Sequence, residues 1–344
     1  MELLLSNFPP IVFENNSSRN YFEKAIKDCS VLQIASGYIS SDALIELKRI
    51  VELNSKPRIE LLIGMHYFDG FTRTQYEAAT ALNKFLNENG LGFVYLSNIM
   101  KFHGKMYSFT MNDSSKAAIV GSSNLGSLYD KVNRLYEADI LLEGEESNPI
   151  FDSIGVITKR IGSPLESVTI TTFNEFNQLL DQHENVKKVS TEELADVLSQ
   201  TMSLNFDIPV KTEPKSNLNA FFGKGRVDKR GYEMPRPWYE VEIIVSNKIT
   251  SQKGYPAHQS FAVYTDDGWY FQCETNGDYS KNFRSKEDLK ILGKWIKGRL
   301  EDSGALSIGN PVTDEVLEKY GRNTINLRAT RKENVWFISF KPDR

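Results

Sequence analysis

Over its first 165 positions the chain alternates short apolar runs with segments of helical periodicity. Val31-Leu32-Gln33-Ile34-Ala35 predicts a buried strand that ends at Ser36-Gly37. Ser41-Asp42 then predicts the start of a helix that places Leu44, Leu47, Ile50 and Val51 on one face. Ile59 to Ile63 predicts a second buried strand closed by Gly64, Thr72 to Asn89 a second helix stopped by Gly90, and Phe93 to Leu96 a third strand. Strands interleaved with helices predict an α/β domain, with function on the loops at the strand ends.

From Phe102 the pattern changes. Met106 to Thr110 predicts a strand, 111–115 a polar turn, and Lys116 to Val120 the returning strand. Ala138 to Leu142 predicts another strand after Tyr136-Glu137, and helical periodicity returns from about Pro149 to Ile161. Residues 181–217 are polar, poor in aromatics and rich in proline towards their end, and read as a linker with a helix from Thr191 to Met202 inside it. After 218 the texture is β-rich. Tyr239 to Val245 alternates, Phe261 to Tyr264 meets Trp269 to Cys273 across Asp266-Asp267-Gly268, and Val335 to Phe340 predicts a last strand. One helix, about Lys286 to Leu300, interrupts the strands, and its Lys286, Lys290, Lys294, Lys297 and Arg299 read as a solvated face. The expected organisation is an α/β domain over 1–180, a linker over 181–217 and a β-rich domain over 218–344.

Composition narrows the class. The 344 residues are 40% hydrophobic and include 15 Tyr and 20 Phe, enough apolar surface to exclude global disorder. No run approaches the ~18 apolar residues of a membrane span. The start, Met1-Glu2-Leu3-Leu4-Leu5, does not read as a secretory signal. Cys29 and Cys273 are too few and too far apart for a disulfide framework or a zinc site. A cytoplasmic protein without membrane partners is expected. The net charge of −4 argues against a polyanionic partner until the chain is divided: residues 216–344 hold 21 Lys+Arg against 17 Asp+Glu, so the remainder is strongly acidic. The second half is therefore the better candidate to meet phosphates.

The chemistry concentrates in Phe102-His103-Gly104-Lys105, Gly121-Ser122-Ser123-Asn124 and Glu137. A His and a Lys two apart on a strand project to one face. A neutral imidazole there can attack phosphorus while the ammonium stabilises the equatorial oxygens. The Asn124 amide and Ser122 hydroxyl, at the end of the neighbouring strand, can donate to the same oxygens, and Glu137 can hold the imidazole tautomer. His-x-Lys alone arises by chance about 0.4 times in a chain of this size, but the pair of motifs at this spacing only on the order of once in a thousand chains. His66 reads as a structural histidine, His183 and His258 as surface or structural ones, and Tyr38 as bordering the site or packing in the core.

His103, Lys105, Gly121, Ser122 and Asn124 match, residue by residue, the signature of the phospholipase D superfamily, which this domain resembles. The superfamily's aspartate falls at Thr110, and the gap to Gly121 is longer than usual. The resemblance leaves Glu137 as the candidate to orient the histidine. Superfamily members build one site from two motifs, and only one is present here, so the resemblance implies a homodimer. One His103 would become a phosphohistidine and the other would protonate the leaving oxygen, with no metal or cofactor. With a basic β-rich domain following, the whole chain resembles the BfiI-like restriction endonucleases, and more closely the NgoFVII/NgoAVII type. That resemblance implies a pseudobarrel like the plant B-three DNA-binding domain, double-stranded DNA as partner, a cognate methyltransferase in the same system, and in some relatives a separate helicase-like ATPase.

Two arms are candidates to read DNA. The first, basic and glycine-rich, offers Lys224, Arg226, Asp228, Lys229, Arg230, Arg236 and Trp238. The second, Asn276 to Arg284, offers Asn276, Asp278, Lys281, Asn282 and Arg284. These residue types suit guanine edges, cytosine amino groups and phosphates. The leading expectation is a metal-independent, site-specific restriction endonuclease. Two others stand beside it: a phospholipase-D-type phospholipid hydrolase, and a DNA-binding module whose nuclease domain is silent without a partner ATPase.

Overall fold

The computed structural model describes the chain apart from residues 9, 14–15, 55, 130–134, 175–178, 182, 184, 228, 230 and 343–344. It divides into two compact units, one of Met1–Phe176 with Val227–Met234, the other of Asn177–Arg226 with Pro235–Arg344.

In the first unit the elements run β1 (Glu2–Leu5), α1 (Ser18–Asp28), β2 (Cys29–Ser36), α2 (Ser41–Leu53), β3 (Arg58–Ile63), α3 (Arg73–Glu88), β4 (Gly92–Ser97), β5 (Lys105–Met111), β6 (Lys116–Gly121), β7 (Ala138–Glu143), α4 (Asn148–Ile161) and β8 (Gly162–Pro164). The strands form one mixed sheet in the order β1-β7-β6-β5-β2-β3-β4-β8. β2, β3 and β4 are parallel and joined by helices, in keeping with apolar runs broken only by Gln33 and Glu60 in their interiors. β5, β6 and β7 pair antiparallel, and β5 joins the parallel half through β2. Helix starts follow the sequence: Ser40 caps α2 by accepting from the Ala43 amide, and Thr72 and Gln75 form a reciprocal capping box at α3. The period of two along β5 sends Tyr107 and Phe109 to Phe22 on α1, and Met106 to the opposite face. There Met106 joins Ala35, Leu62 and the Ile150, Ile154, Ile157 and Ile161 side chains of α4.

The second unit contains α5 (Thr191–Ser199), β9 (Thr201–Pro209), β10 (Ile243–Ile244), β11 (Ser260–Thr265), β12 (Trp269–Asn276), β13 (Asn282–Ser285), α6 (Lys290–Asp302), α7 (Asp314–Tyr320), β14 (Thr324–Thr330) and β15 (Val335–Ser339). Its curled sheet runs β9-β14-β15-β11-β12-β13-β10, with the two-residue strand Lys187–Lys188 added to β12. The hairpin from β11 to β12 turns at Gly268, whose φ is +83°.

Three expectations are corrected. Within 181–217, β9 is a strand of the second unit's sheet, pairing with β14; only Phe206 and Ile208 of β9 itself are buried, too short an alternation to stand out. Of Tyr239–Val245, only Ile243–Ile244 forms a strand, because Trp238 and Tyr239 turn inward and both donate to the buried carboxylate of Glu301. The lysines of α6 are not a solvated face: Lys290, Lys294 and Lys297 are all buried. Lys297 donates to the Trp238 carbonyl at 2.7 Å and lies 4.0 Å over the Trp238 ring, so its amino group finds its partners inside the fold.

Candidate active site

The register of the first sheet gathers the two motifs. Ser36, the last residue of β2, sits opposite Lys105, the first of β5, and also opposite Ile63 at the end of β3. Met106 pairs with Val120, and Gly121 pairs with Asp139 on β7. The carboxyl ends of β2, β3 and β6 and the amino ends of β5 and β7 therefore meet at one edge of the sheet.

Glycines make that convergence possible. A Cβ at Gly64 would fall on the Phe102 carbonyl oxygen, whose segment hydrogen-bonds from the Phe102 amide back to the Gly64 carbonyl at 3.1 Å. A Cβ at Gly37 would stand 3.1 Å from the His103 Cα. Gly121 faces the Asp139 carboxylate and the Ala138 carbonyl with no room for a side chain, which is why the second motif opens with glycine.

His103 is exposed, whereas Lys105 is 7% exposed. The Lys105 ammonium donates to the His103 carbonyl at 2.7 Å and lies 3.1 Å from Nε2 and 3.3 Å from Nδ1 of the same ring. Burial pulls the Lys105 pKa below its usual range, and the Glu137 charge opposes that shift. Asn124 accepts from the Tyr38 amide at 3.2 Å through Oδ1, so its Nδ2 donors are turned elsewhere. Tyr38 also sets its ring edge-on to His103 with centroids 5.6 Å apart, and its phenol donates to Asp69 at 2.6 Å. That bond raises the Tyr38 pKa. Asp69 in turn is paired with Lys101 at 2.6 Å.

Glu137 stands beside this group. Its carboxylate accepts from the Ser122 hydroxyl at 2.5 Å and from the Ser127 hydroxyl at 3.0 Å. Among the described residues it makes no hydrogen bond to the His103 ring, which meets the Lys105 ammonium instead. Thr110, at the superfamily's aspartate position, is five residues along β5 from Lys105. At ~3.3 Å per residue that is roughly 16 Å away. Thr110 pairs with Val31 and Lys116, so a carboxylate there would not reach the histidine.

Sequence reasoning missed Asp139. It is 1% exposed and accepts from the Ser123 amide at 3.0 Å and the Ser123 hydroxyl at 2.5 Å, and from the Ser18 hydroxyl. It fixes the loop that carries Ser122 and Asn124. The available signal was its place two residues after Glu137 in an otherwise apolar strand, where a carboxylate needs partners. His66 is structural: Nε2 accepts from the Ile39 amide at 3.1 Å, Nδ1 faces the Gly70 carbonyl at 3.0 Å, and the ring stacks on Phe71. Burial lowers its pKa.

The two candidate arms fare differently. Asp228 and Arg230 lie outside the described residues. Lys224 is exposed in the second unit, and Lys229 is exposed in the segment grouped with the first. Arg226 and Arg236 share the buried carboxylate of Glu240, at 2.8 and 2.5 Å. Trp238 is not on the surface at all: it is 0% exposed, and its indole N–H donates to Glu301 at 2.8 Å, because the aromatic pair Trp238-Tyr239 closes the core over α6. In the second arm Asp278 is exposed, and Asn276, Lys281 and Asn282 are half-buried. Arg284 is held between Glu274 at 2.9 Å and Glu242 at 3.3 Å, and Asn276 donates to the same Glu274 at 2.9 Å. Among the described residues, no group of three or more His, Cys, Asp or Glu is arranged to hold a metal ion, and no helix is long and apolar enough to cross a membrane.

Over residues 16–163 the sequence matches the NgoFVII restriction endonuclease N-terminal PLD domain, and over residues 196–331 the NgoFVII C-terminal B3-like DNA-binding domain. Among solved structures it is similar to Nuc, a phospholipase D family member from Salmonella typhimurium, at 14% identity over 47% of this chain and 98% of that one, with a TM-score of 0.29. None of the curated proteins matches it.

Proposed function

The chain belongs to the NgoFVII family of restriction endonucleases, with a phospholipase-D nuclease domain followed by a B3-like DNA-binding domain, and from that premise we propose that it cleaves duplex DNA at a specific sequence, without a metal ion, through a covalent intermediate on His103. The observation that carries the reading is the Lys105 ammonium within hydrogen-bond distance of both His103 ring nitrogens.

A ring nitrogen that accepts from Lys105 has its lone pair engaged. A scissile phosphate entering the site offers the ammonium stronger, anionic acceptors. Lys105 then passes to the phosphate oxygens and frees the imidazole lone pair beside the phosphorus. Attack forms the N–P bond and breaks the bond to one ester oxygen, which takes a proton from a second imidazole. Water next attacks the phosphohistidine, giving its proton to that second imidazole, and His103 is released. Lys105 and the Asn124 amide stabilise the charge on the non-bridging oxygens in both steps.

The second imidazole belongs, in this proposal, to another copy of the chain, because none of the other three histidines is followed by Lys two residues on. A homodimer through the nuclease domain is also supported by the exposed side chains of Tyr67 and Phe68, on the short helix His66–Asp69 that follows β3, and of Ile99 and Met100, on the segment that leads into His103. Glu137, by holding Ser122 and Ser127, is proposed to order the loop of the second motif and to keep negative charge near Lys105. The second unit is proposed to read the target, with Lys224, Arg226, Arg236, Lys281 and Arg284 as candidates for phosphates and guanine edges. The wider system would include a cognate methyltransferase and, as in some relatives, a helicase-like ATPase. The test is incubation of the purified protein with phage DNA in EDTA beside His103→Ala. Discrete fragments from the wild type alone support the proposal, and equal cutting by both proteins refutes it.

A further inference from the structure

The turn joining β12 to β13 carries a feature that neither the active site nor the core uses. Tyr279 has φ +57° and ψ +24°, and the next residue, Ser280, has φ +54°. Two successive residues with side chains in the left-handed region are unfavourable, since each Cβ crowds a carbonyl oxygen. The surrounding structure imposes them. Ser280 is buried, and its hydroxyl accepts from the His258 amide at 3.0 Å. Its own amide bonds the Gly277 carbonyl at 3.0 Å. On one side the Thr275 amide bonds the Gln259 carbonyl at 3.1 Å, and on the other the Val245 amide bonds the Lys281 carbonyl at 2.7 Å.

That rigid turn holds the Tyr279 side chain outward. At 75% exposure it is the most exposed aromatic among the described residues, and it has no aromatic partner among them. Strain imposed by several independent bonds, for the sake of a ring that is three-quarters exposed, points to function. Its sequence neighbours Asp278, Lys281 and Asn282 are types that bond base edges and phosphates.

We infer that Tyr279 is a sequence-reading residue, its ring pressed on the 5-methyl group of a thymine in the major groove, where that methyl is the one apolar group on the base edges. The inference rests on the reading of the second unit as the DNA reader, and Tyr279 adds a specificity contact that no residue type in the arm's polar set provides.

The test uses the full chain carrying His103→Ala, so that bound DNA stays intact. Duplexes selected from a randomised pool define the bound sequence for this protein and for versions that also carry Tyr279→Asn or Tyr279→Phe. Asparagine tolerates positive φ, so Tyr279→Asn removes the ring without disturbing the turn, and thermal unfolding checks that it folds. The expected result is that Tyr279→Asn loses the preference at one A·T pair and binds the selected duplex roughly 10-fold more weakly. Tyr279→Phe keeps both. Uracil in place of that thymine weakens the Tyr279-containing protein by a similar factor and leaves Tyr279→Asn unchanged. If the Tyr279-containing protein selects a sequence and Tyr279→Asn selects the same one with equal affinity, the inference is overturned while the reader stands. If the Tyr279-containing protein selects no sequence, the reading of the unit as a DNA reader fails, and the inference with it.

Discussion

The Lys105 ammonium lies 3.1 Å from Nε2 and 3.3 Å from Nδ1 of His103, and 2.7 Å from the carbonyl oxygen of the same residue. One buried cation thus engages the ring and the backbone of His103 together. Lys105→Met removes that cation without changing the length of the side chain greatly. Single-turnover cleavage is expected to fall by about 10²–10³-fold, with DNA binding retained, since the reader is in the other unit. A rate unchanged in Lys105→Met would contradict the role given to the ammonium.

Asp139 holds the second motif's loop from beneath. Asp139→Ala leaves the Ser123 amide and two hydroxyls without their acceptor, and a loss of about 2–3 kcal/mol in urea unfolding is expected. Activity should fall with it even at temperatures where the variant is fully folded, because Ser122 and Asn124 ride on the same loop.

Gly64 and the Phe102 carbonyl are in direct contact. In Gly64→Ala the segment bearing His103 must move away from β3, at a cost of about 1–3 kcal/mol. Cleavage should drop more than stability does; a fully active Gly64→Ala protein would show that the position of the segment does not matter.

Trp238 lies in the basic arm by sequence yet is enclosed in the core. Trp238→Phe deletes the donor to Glu301 and should cost about 1–3 kcal/mol in denaturant unfolding. DNA affinity should stay as it was, since the ring is enclosed. A selective loss of binding with stability intact would return Trp238 to the interface.

Glu301 gives the second unit a pH signature. Burial pushes its pKa up to about 8, against the pull of the Trp238 and Tyr239 hydrogen bonds and of Lys297. The folded state therefore holds a proton that the unfolded chain releases once pH passes the usual carboxylate range. Glu301's contribution is fully present below that range and is lost as pH rises towards 8. Lys297, lowered to about 7 by burial, acts with the opposite slope above neutrality. Glu301→Gln should abolish the decline on the acidic side, read as unfolding midpoints between pH 5 and 8; an unchanged decline would assign it to other groups.

The parallel half of the first sheet was legible because its strands are short, mostly apolar runs and its helices carry cap and stop residues, as at Thr72 and Gly90. The His-x-Lys pair was legible from its spacing alone, although His103 lies in the irregular segment just before β5, which begins at Lys105, and not on the strand itself. What was hidden depends on long-range pairing. Asp139 matters only because β7 lies beside β6, and α1 shows its purpose only when Phe22 meets Tyr107 and Phe109. The lysines of α6 look solvated in sequence, yet Lys297 is satisfied by a carbonyl and an indole ring 59 positions earlier. Charge alone could not reveal which arginines are committed to Glu240.

Trapping the intermediate tests covalent catalysis by His103 at its source. End-labelled cognate DNA is quenched in denaturant during cleavage in EDTA, and protein-linked label is measured in the wild type and in His103→Ala. The expected result is acid-labile, alkali-stable label on the wild-type chain, mapping to the His103 peptide and absent from the variant. Cleavage by the wild type with no linked label at any time during turnover would contradict it.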